Sequence, residues 1–183
     1  MIASGLARDH VESYRRDGYL FPLAAFNTAQ VDMICAELAQ ARRDAERLQL
    51  DWQRLSRANA HYLLPFVYQV ATAPQVLDPV ESILGHDILL WSAEFFIKPA
   101  GTDKIVSWHQ DLAYWGLGET DDEITAWIAL SDVNVESGCM RFLPGSQQQR
   151  LLPHRDSFDA ANLLLSRGCL LYTSDAADDV STV

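Results

Sequence analysis

Long apolar runs are missing from this chain. Nowhere in its 183 residues do about 18 apolar residues follow one another, so no membrane-spanning helix and no membrane partner is expected. The opening MIASGLARDHVESYRRDGYL has no apolar stretch ahead of its charges, and no signal peptide is read from it. Cysteine is scarce: Cys35, Cys139 and Cys169 are odd in number and far apart, which suits a reducing compartment and excludes a disulfide framework. Basic residues are also few. Lys and Arg number 14 against 25 Asp and Glu, a formal net charge of -11 that repels phosphate backbones and excludes nucleic acid as a partner. Neither G-x-G-x-x-G nor a P-loop occurs, so nucleotide binding has no motif to rest on. Aromatics, by contrast, make up 10% and hydrophobic residues 49%, enough for a folded core. The composition describes one acidic, cytoplasmic, soluble domain.

The first part of the chain carries a helical period. Residues 7–17 alternate charge with a sparse apolar stripe and stop at Gly18, a good helix terminator. Asn27 or Thr28 can cap a longer helix, in which Val31, Ile34, Leu38, Ala41, Ala45 and Leu48 recur on one face. After Pro74, Val76, Val80, Ile83 and Leu84 form a second short stripe that ends at Gly85.

From His86 the period shortens. ILLWSAEFFIKP (88–99), ITAWIALSDV (124–133) and CMRFL (139–143) are rich in β-branched and aromatic residues and are bounded by turn signals. On a strand, Ser92, Glu94, Phe96 and Lys98 would share one mixed polar face, as the lining of a site would. Several short strands separated by turns predict an antiparallel sandwich or barrel.

The chemical signal is Trp108-His109-Gln110-Asp111. On an extended segment, His109 and Asp111 point to the same side, about 6–7 Å apart along the backbone, and can reach one metal ion. With a distant histidine they would complete the two-histidine, one-carboxylate set of non-haem Fe(II) oxygenases. The triplet alone also fits a plain reading, a hydrogen-bonded buried histidine followed by a turn aspartate.

The run SWHQDLAYWGL, then AWIALSDVNVESGCMRFLPGS, resembles the phytanoyl-CoA dioxygenase family of Fe(II)/2-oxoglutarate oxygenases. DGYLFP, EFFIKPAGT and LPHRDSFDAANLLLSRG extend the resemblance to about Gly168. It implies a double-stranded β-helix of the jelly-roll or cupin-like type, mainly β with N-terminal α-helices and incomplete at the C-terminus. Residues 1–168 would be one oxygenase domain, mostly helical over 1–85, with the first jelly-roll strands over 86–168. It further implies Fe(II), 2-oxoglutarate and O₂ as cofactor and cosubstrates, a small organic substrate, and hydroxylation. Carried over by position, His109 and Asp111 are the catalytic and metal-binding residues, and Gln110, Trp127 and Arg57 line the cosubstrate region. Arg57 equally fits a solvated surface arginine, and Trp108, Tyr114 and Trp115 fit either pocket walls or simple core. Halogenating relatives replace the carboxylate by a small residue, so Asp111 implies hydroxylation rather than halogenation.

The chain departs from the family pattern downstream. The distal histidine ligand and the arginine that follows it are absent, and His154, the last histidine, reads as a surface or entrance residue. Residues 169–183, CLLYTSDAADDVSTV, resemble a translated sequencing adaptor and read as a non-native tail on an inactive fragment; a native acidic tail is the plain alternative. Two rival functions stand beside the oxygenase. One is a non-catalytic jelly-roll module that binds a small ligand, the other a cupin-like enzyme using another metal.

Overall fold

The computed structural model describes residues 5–57, 59–118, 120–152 and 154. The expected tail from Cys169 lies outside them. The described residues form two compact units. The first takes the chain up to Val11, Pro22–Ile97 and Ile124–Asp132; the second takes Glu12–Phe21, Lys98–Glu123 and the residues from Val133 onward.

Six helices precede residue 85: α1 Arg8–Asp17, α2 Thr28–Arg47, α3 Trp52–Arg57, α4 Ala60–Leu63, α5 Pro65–Ala71 and α6 Pro74–Leu84. Glycine ends α1 and α6, with Gly18 at φ +86° and Gly85 at φ +91°, a region that side chains with a Cβ rarely enter. Asn27 starts α2 through a reciprocal cap. Its side chain accepts from the Gln30 N–H at 2.9 Å, while the Gln30 side chain accepts from the Asn27 N–H at 3.0 Å. Asn27→Ala removes the bond from the Gln30 N–H and leaves the one from its own backbone N–H; we expect a loss of about 1 kcal/mol, read as a melting point about 2–4 °C lower.

In the first unit α2 through α6 pack in chain order, each against the next. The buried apolar residues among those described are Ile34 and Ala45 from α2, Ala60 from α4, Val67 from α5 and Val76 from α6. Leu48, the last member of the predicted α2 stripe, is instead 57% exposed. It sits past the last helical residue, so the helical period no longer aims it at the core.

The second half overturns the sequence expectation. Among the described residues the mainly β class and the jelly-roll or cupin-like double-stranded β-helix expected over 86–168 do not form: helices account for 44% of them, strand for about 1%, and they contain no sheet. The predicted segments form no strand ladder. The Ala93 carbonyl accepts from the Ala60 N–H at 2.8 Å, and the Phe95 N–H donates to the Ser56 carbonyl at 2.7 Å. The backbone of 88–97 thus spends hydrogen bonds on the α3–α4 turn rather than on a neighbouring strand. Neighbouring rings take different partners: Phe95 meets Phe66 at 5.9 Å, while Phe96 meets Trp127 at 5.7 Å. A period of two in the sequence carries no information about the segment's hydrogen-bonding partner.

The second unit is tied to the end of α1. A 3₁₀ turn, Ser146–Gln148, supplies donors for carbonyls that the helix end leaves unpaired. The Gly145 N–H donates to Asp17 O at 2.9 Å, and the Gln147 and Gln148 amides donate to Arg15 O and Arg16 O at 3.0 and 3.3 Å. Tyr19 and Phe142 pack with ring centroids 5.0 Å apart.

Candidate metal centre

The histidine–aspartate pair sits in the loop that enters a one-turn helix, α7, Leu112–Trp115. Asp111 does not continue an extended segment. Its φ and ψ of -53° and -41° are helical, and its carbonyl accepts from the Tyr114 N–H at 2.9 Å. The turn brings the donors closer than an extended chain would, with His109 Nε2 3.2 Å from Asp111 Oδ1.

Three contacts hold the imidazole. His109 is 8% exposed, and the Ser107 carbonyl, itself buried, lies 2.8 Å from Nδ1. The Tyr114 ring meets it edge-on at 86°, with centroids 5.6 Å apart. A carbonyl facing Nδ1 requires a hydrogen on that nitrogen, so the neutral ring presents the Nε2 lone pair to Oδ1. Two acceptors at this distance repel unless a proton or a cation lies between them. Donors bound at about 2.1 Å in neighbouring octahedral positions stand about 3.0 Å apart. The pair therefore fits two ligands of one hard or borderline metal ion. Among the described residues, no group of three His, Cys, Asp or Glu is placed to hold a metal.

None of the other histidines of the sequence joins the pair. His10 is exposed in α1, His61 is buried in α4 of the first unit, and His86 pairs with Glu81 at the surface. His154 is occupied in another way. The Gln110 N–H donates to its Nε2 at 3.1 Å, and its Nδ1 faces the Leu152 carbonyl. The Gln110 side-chain oxygen in turn accepts from the Leu152 N–H at 2.8 Å. His154, read from sequence as a surface or entrance residue, thus clamps the 150–154 loop to the residue between the two candidate ligands.

Glu123 carries no signal of its own in the sequence. Its Oε2 is buried without a hydrogen-bond partner among the described residues. Burial raises its pKa above the ordinary carboxylate range, and the Asp111 charge raises it further. Burial and then Glu123 push the Tyr14 hydroxyl above its usual value as well. A carboxyl with a raised folded-state pKa favours the fold while protonated, and that contribution is lost as pH rises through the folded pKa. Glu123→Gln imitates the protonated form. We expect it to melt slightly higher than wild type near neutral pH, with the gap closing in acid below the ordinary glutamate pKa. Thermal melts across that range check this.

The remaining sequence candidates lie in the first unit, whereas His109, Gln110 and Asp111 lie in the second. Trp127 is 44% exposed, with its ring against Phe96. Arg57 ends α3 and lines an open cleft of about 530 Å³ with Asn59, Tyr62 and residues 89–92.

A histidine and an aspartate with facing donor atoms define a candidate mononuclear metal centre. Residues 14–164 match the family model of phytanoyl-CoA dioxygenase, and the chain belongs to that family. Ectoine dioxygenase of Bordetella bronchiseptica is 27% identical over 159 residues, covering 81% of this chain and 52% of the relative. The human peroxisomal phytanoyl-CoA dioxygenase is 31% identical over 91 residues, 48% of this chain and 27% of its own. A Stutzerimonas stutzeri protein named "Probable alpha-ketoglutarate-dependent hypophosphite dioxygenase" is 29% identical over 98 residues, 54% of this chain and 34% of its own. The chain spans about half the length of the ectoine dioxygenases it matches. No solved structure matches it at a significant level. No helix among the described residues is long and apolar enough to cross a membrane.

Proposed function

We propose that the protein is a non-haem Fe(II)/2-oxoglutarate-dependent dioxygenase that hydroxylates a small organic substrate in the cytoplasm. The observation that carries this reading is the approach of His109 Nε2 to Asp111 Oδ1 at 3.2 Å, in a chain whose relatives are named dioxygenases. Iron, when bound, supplies O₂ activation, so that substrate C–H, O₂ and 2-oxoglutarate give C–OH, succinate and CO₂. The protein's share is positioning. His109 and Asp111 hold two metal positions, Ser107 fixes the imidazole tautomer, and the Tyr114 ring covers the imidazole edge. Family resemblance alone assigns Arg57, Gln110 and Trp127 to the cosubstrate; Arg57 and Trp127 belong to the first unit and Gln110 to the second. Free Cys35 and Cys139 agree with a reducing compartment.

None of the four histidines other than His109 is arranged as a ligand beside Asp111, so this chain by itself is inactive in our reading. The same observation favours a second reading, a family member that binds a small ligand without turning it over. O₂-dependent formation of succinate from 2-oxoglutarate decides between them, measured on this chain and on the longest open reading frame that contains it. Succinate from the longer protein supports the dioxygenase. Ligand binding without iron or succinate in either supports the second reading.

A further inference from the structure

We propose that the cleft at the α3–α4 turn binds a monoanionic aromatic carboxylate. The inference goes beyond the proposed activity, and every residue that lines the cleft belongs to the first unit.

Two pieces of backbone form the cleft. On one side, Asn59 turns the chain from α3 towards α4 at φ +53°, a left-handed angle that asparagine tolerates better than most residues. Arg57 and Tyr62 come from the same side, and residues 89–92 form the other. Two hydrogen bonds tie the sides together: the Ala60 N–H donates to Ala93 O at 2.8 Å, and the Phe95 N–H to Ser56 O at 2.7 Å. The walls are thus set before a ligand arrives, which lowers the cost of binding. The space between them, about 530 Å³, is in the range of small-molecule sites.

Three lining side chains, Tyr62, Leu89 and Trp91, are large, apolar and exposed. Tyr62 is held in place, since its ring packs against the buried His61 ring with centroids 4.1 Å apart. Covering these faces removes apolar surface from water, and a flat ring gains offset or edge contacts with Tyr62 and Trp91 beyond the area covered. Among the described residues that line the cleft, Arg57 alone is charged. It makes another contact of its own, and a guanidinium with five N–H donors serves a second acceptor. Its fork matches a carboxylate in two parallel bonds, while Asn59 and Ser92 add neutral polar groups. One guanidinium balances one negative charge. A second charge, as on a phosphate or a dicarboxylate, would meet the field of a chain whose net charge is -11. The ligand that fits is one carboxylate on an aromatic body. It differs in charge and shape from the aliphatic dicarboxylate cosubstrate that family resemblance assigns to Arg57.

The test uses the whole metal-free chain in ligand-observed NMR titrations near neutral pH. The probes are benzoate, neutral benzamide, cyclohexanecarboxylate, which lacks the flat ring, and 2-oxoglutarate. Wild type should bind benzoate about tenfold more tightly than benzamide, the increment typical of a charge-assisted hydrogen bond. It should prefer benzoate to cyclohexanecarboxylate about threefold, and bind 2-oxoglutarate more weakly than benzoate. Arg57→Gln should abolish the preference over benzamide, and Arg57→Lys should keep part of it. Trp91→Leu should abolish the preference over cyclohexanecarboxylate. Arg42→Gln, at an exposed α2 arginine paired with Glu46, should leave both unchanged and so separates the cleft from basic groups elsewhere. Wild type that binds benzoate no better than benzamide, cyclohexanecarboxylate or 2-oxoglutarate overturns the proposal, whatever the variants do. A preference that survives its own variant, or disappears in Arg42→Gln, overturns it too. Thermal melts beside wild type show that a lost preference is not lost folding. No step needs iron or turnover. Failure of benzoate recognition therefore leaves the dioxygenase reading standing, and failure of succinate formation leaves the measured recognition standing.

Discussion

His109→Ala and Asp111→Ala should each weaken divalent-metal binding by at least about 100-fold, beyond the 10–100-fold typical of losing an outer-shell partner. The expectation follows from the donor count. Among the described residues two side chains converge, so removing either leaves a single one of these ligands and no chelate between them. Co(II) is a suitable probe because its visible absorption reports donor number and geometry. Asp111→Asn keeps an oxygen but removes its charge, and should fall between wild type and alanine. His109→Gln keeps polarity but cannot present the same nitrogen against the Ser107 carbonyl, and should behave like alanine. Co(II) binding unchanged in Asp111→Ala would show that the facing donors are an ordinary buried hydrogen bond and that the metal lies elsewhere. If the open reading frame that contains this chain forms succinate, both alanine variants should lose that activity in step with metal. A variant that keeps metal but loses succinate would move the residue from ligand to some other role.

The helices were legible in the sequence because their signals are local. Asn27 with Gln30 three residues on, apolar steps of three and four through Ile34 and Ala45, and Gly18 and Gly85 at the helix ends are each resolved within one or two turns of chain. The sheet was misread because pairing is not local. ILLWSAEFFIKP has the composition of a strand, yet its backbone bonds go to Ser56 and Ala60. Nothing within the segment distinguishes a strand partner from a helical turn. At the centre, H-x-D gave the donor types and their spacing, while the arrangement of the pair depends on Asp111 adopting helical angles at the start of α7. His154 was not legible as a positioning residue because its role arises from a contact with Gln110, far from it in the chain.

The clamp around Gln110 gives the second large effect. His154→Ala removes the acceptor of the Gln110 N–H and the partner of the Leu152 carbonyl. Both are part-buried backbone groups, so the cost should be about 1–3 kcal/mol, or about 2–4 °C of melting temperature per kcal/mol. Gln110→Ala removes the bond from the Leu152 N–H and acts on the same loop. The two losses should therefore not add, and a double-mutant cycle should give a coupling of about 0.5–3 kcal/mol. Because Gln110 lies between His109 and Asp111, releasing it loosens both donors, and Co(II) affinity should fall about 10–100-fold in His154→Ala. Positioning and direct ligation differ in one readout. At saturating Co(II), a positioning His154 leaves the absorption bands where they are in wild type, whereas a ligand histidine shifts them. An unshifted spectrum with lowered affinity and a lowered melting point is the expected result. A shifted spectrum would make His154 a ligand and require the Gln110 bond to break on metal binding.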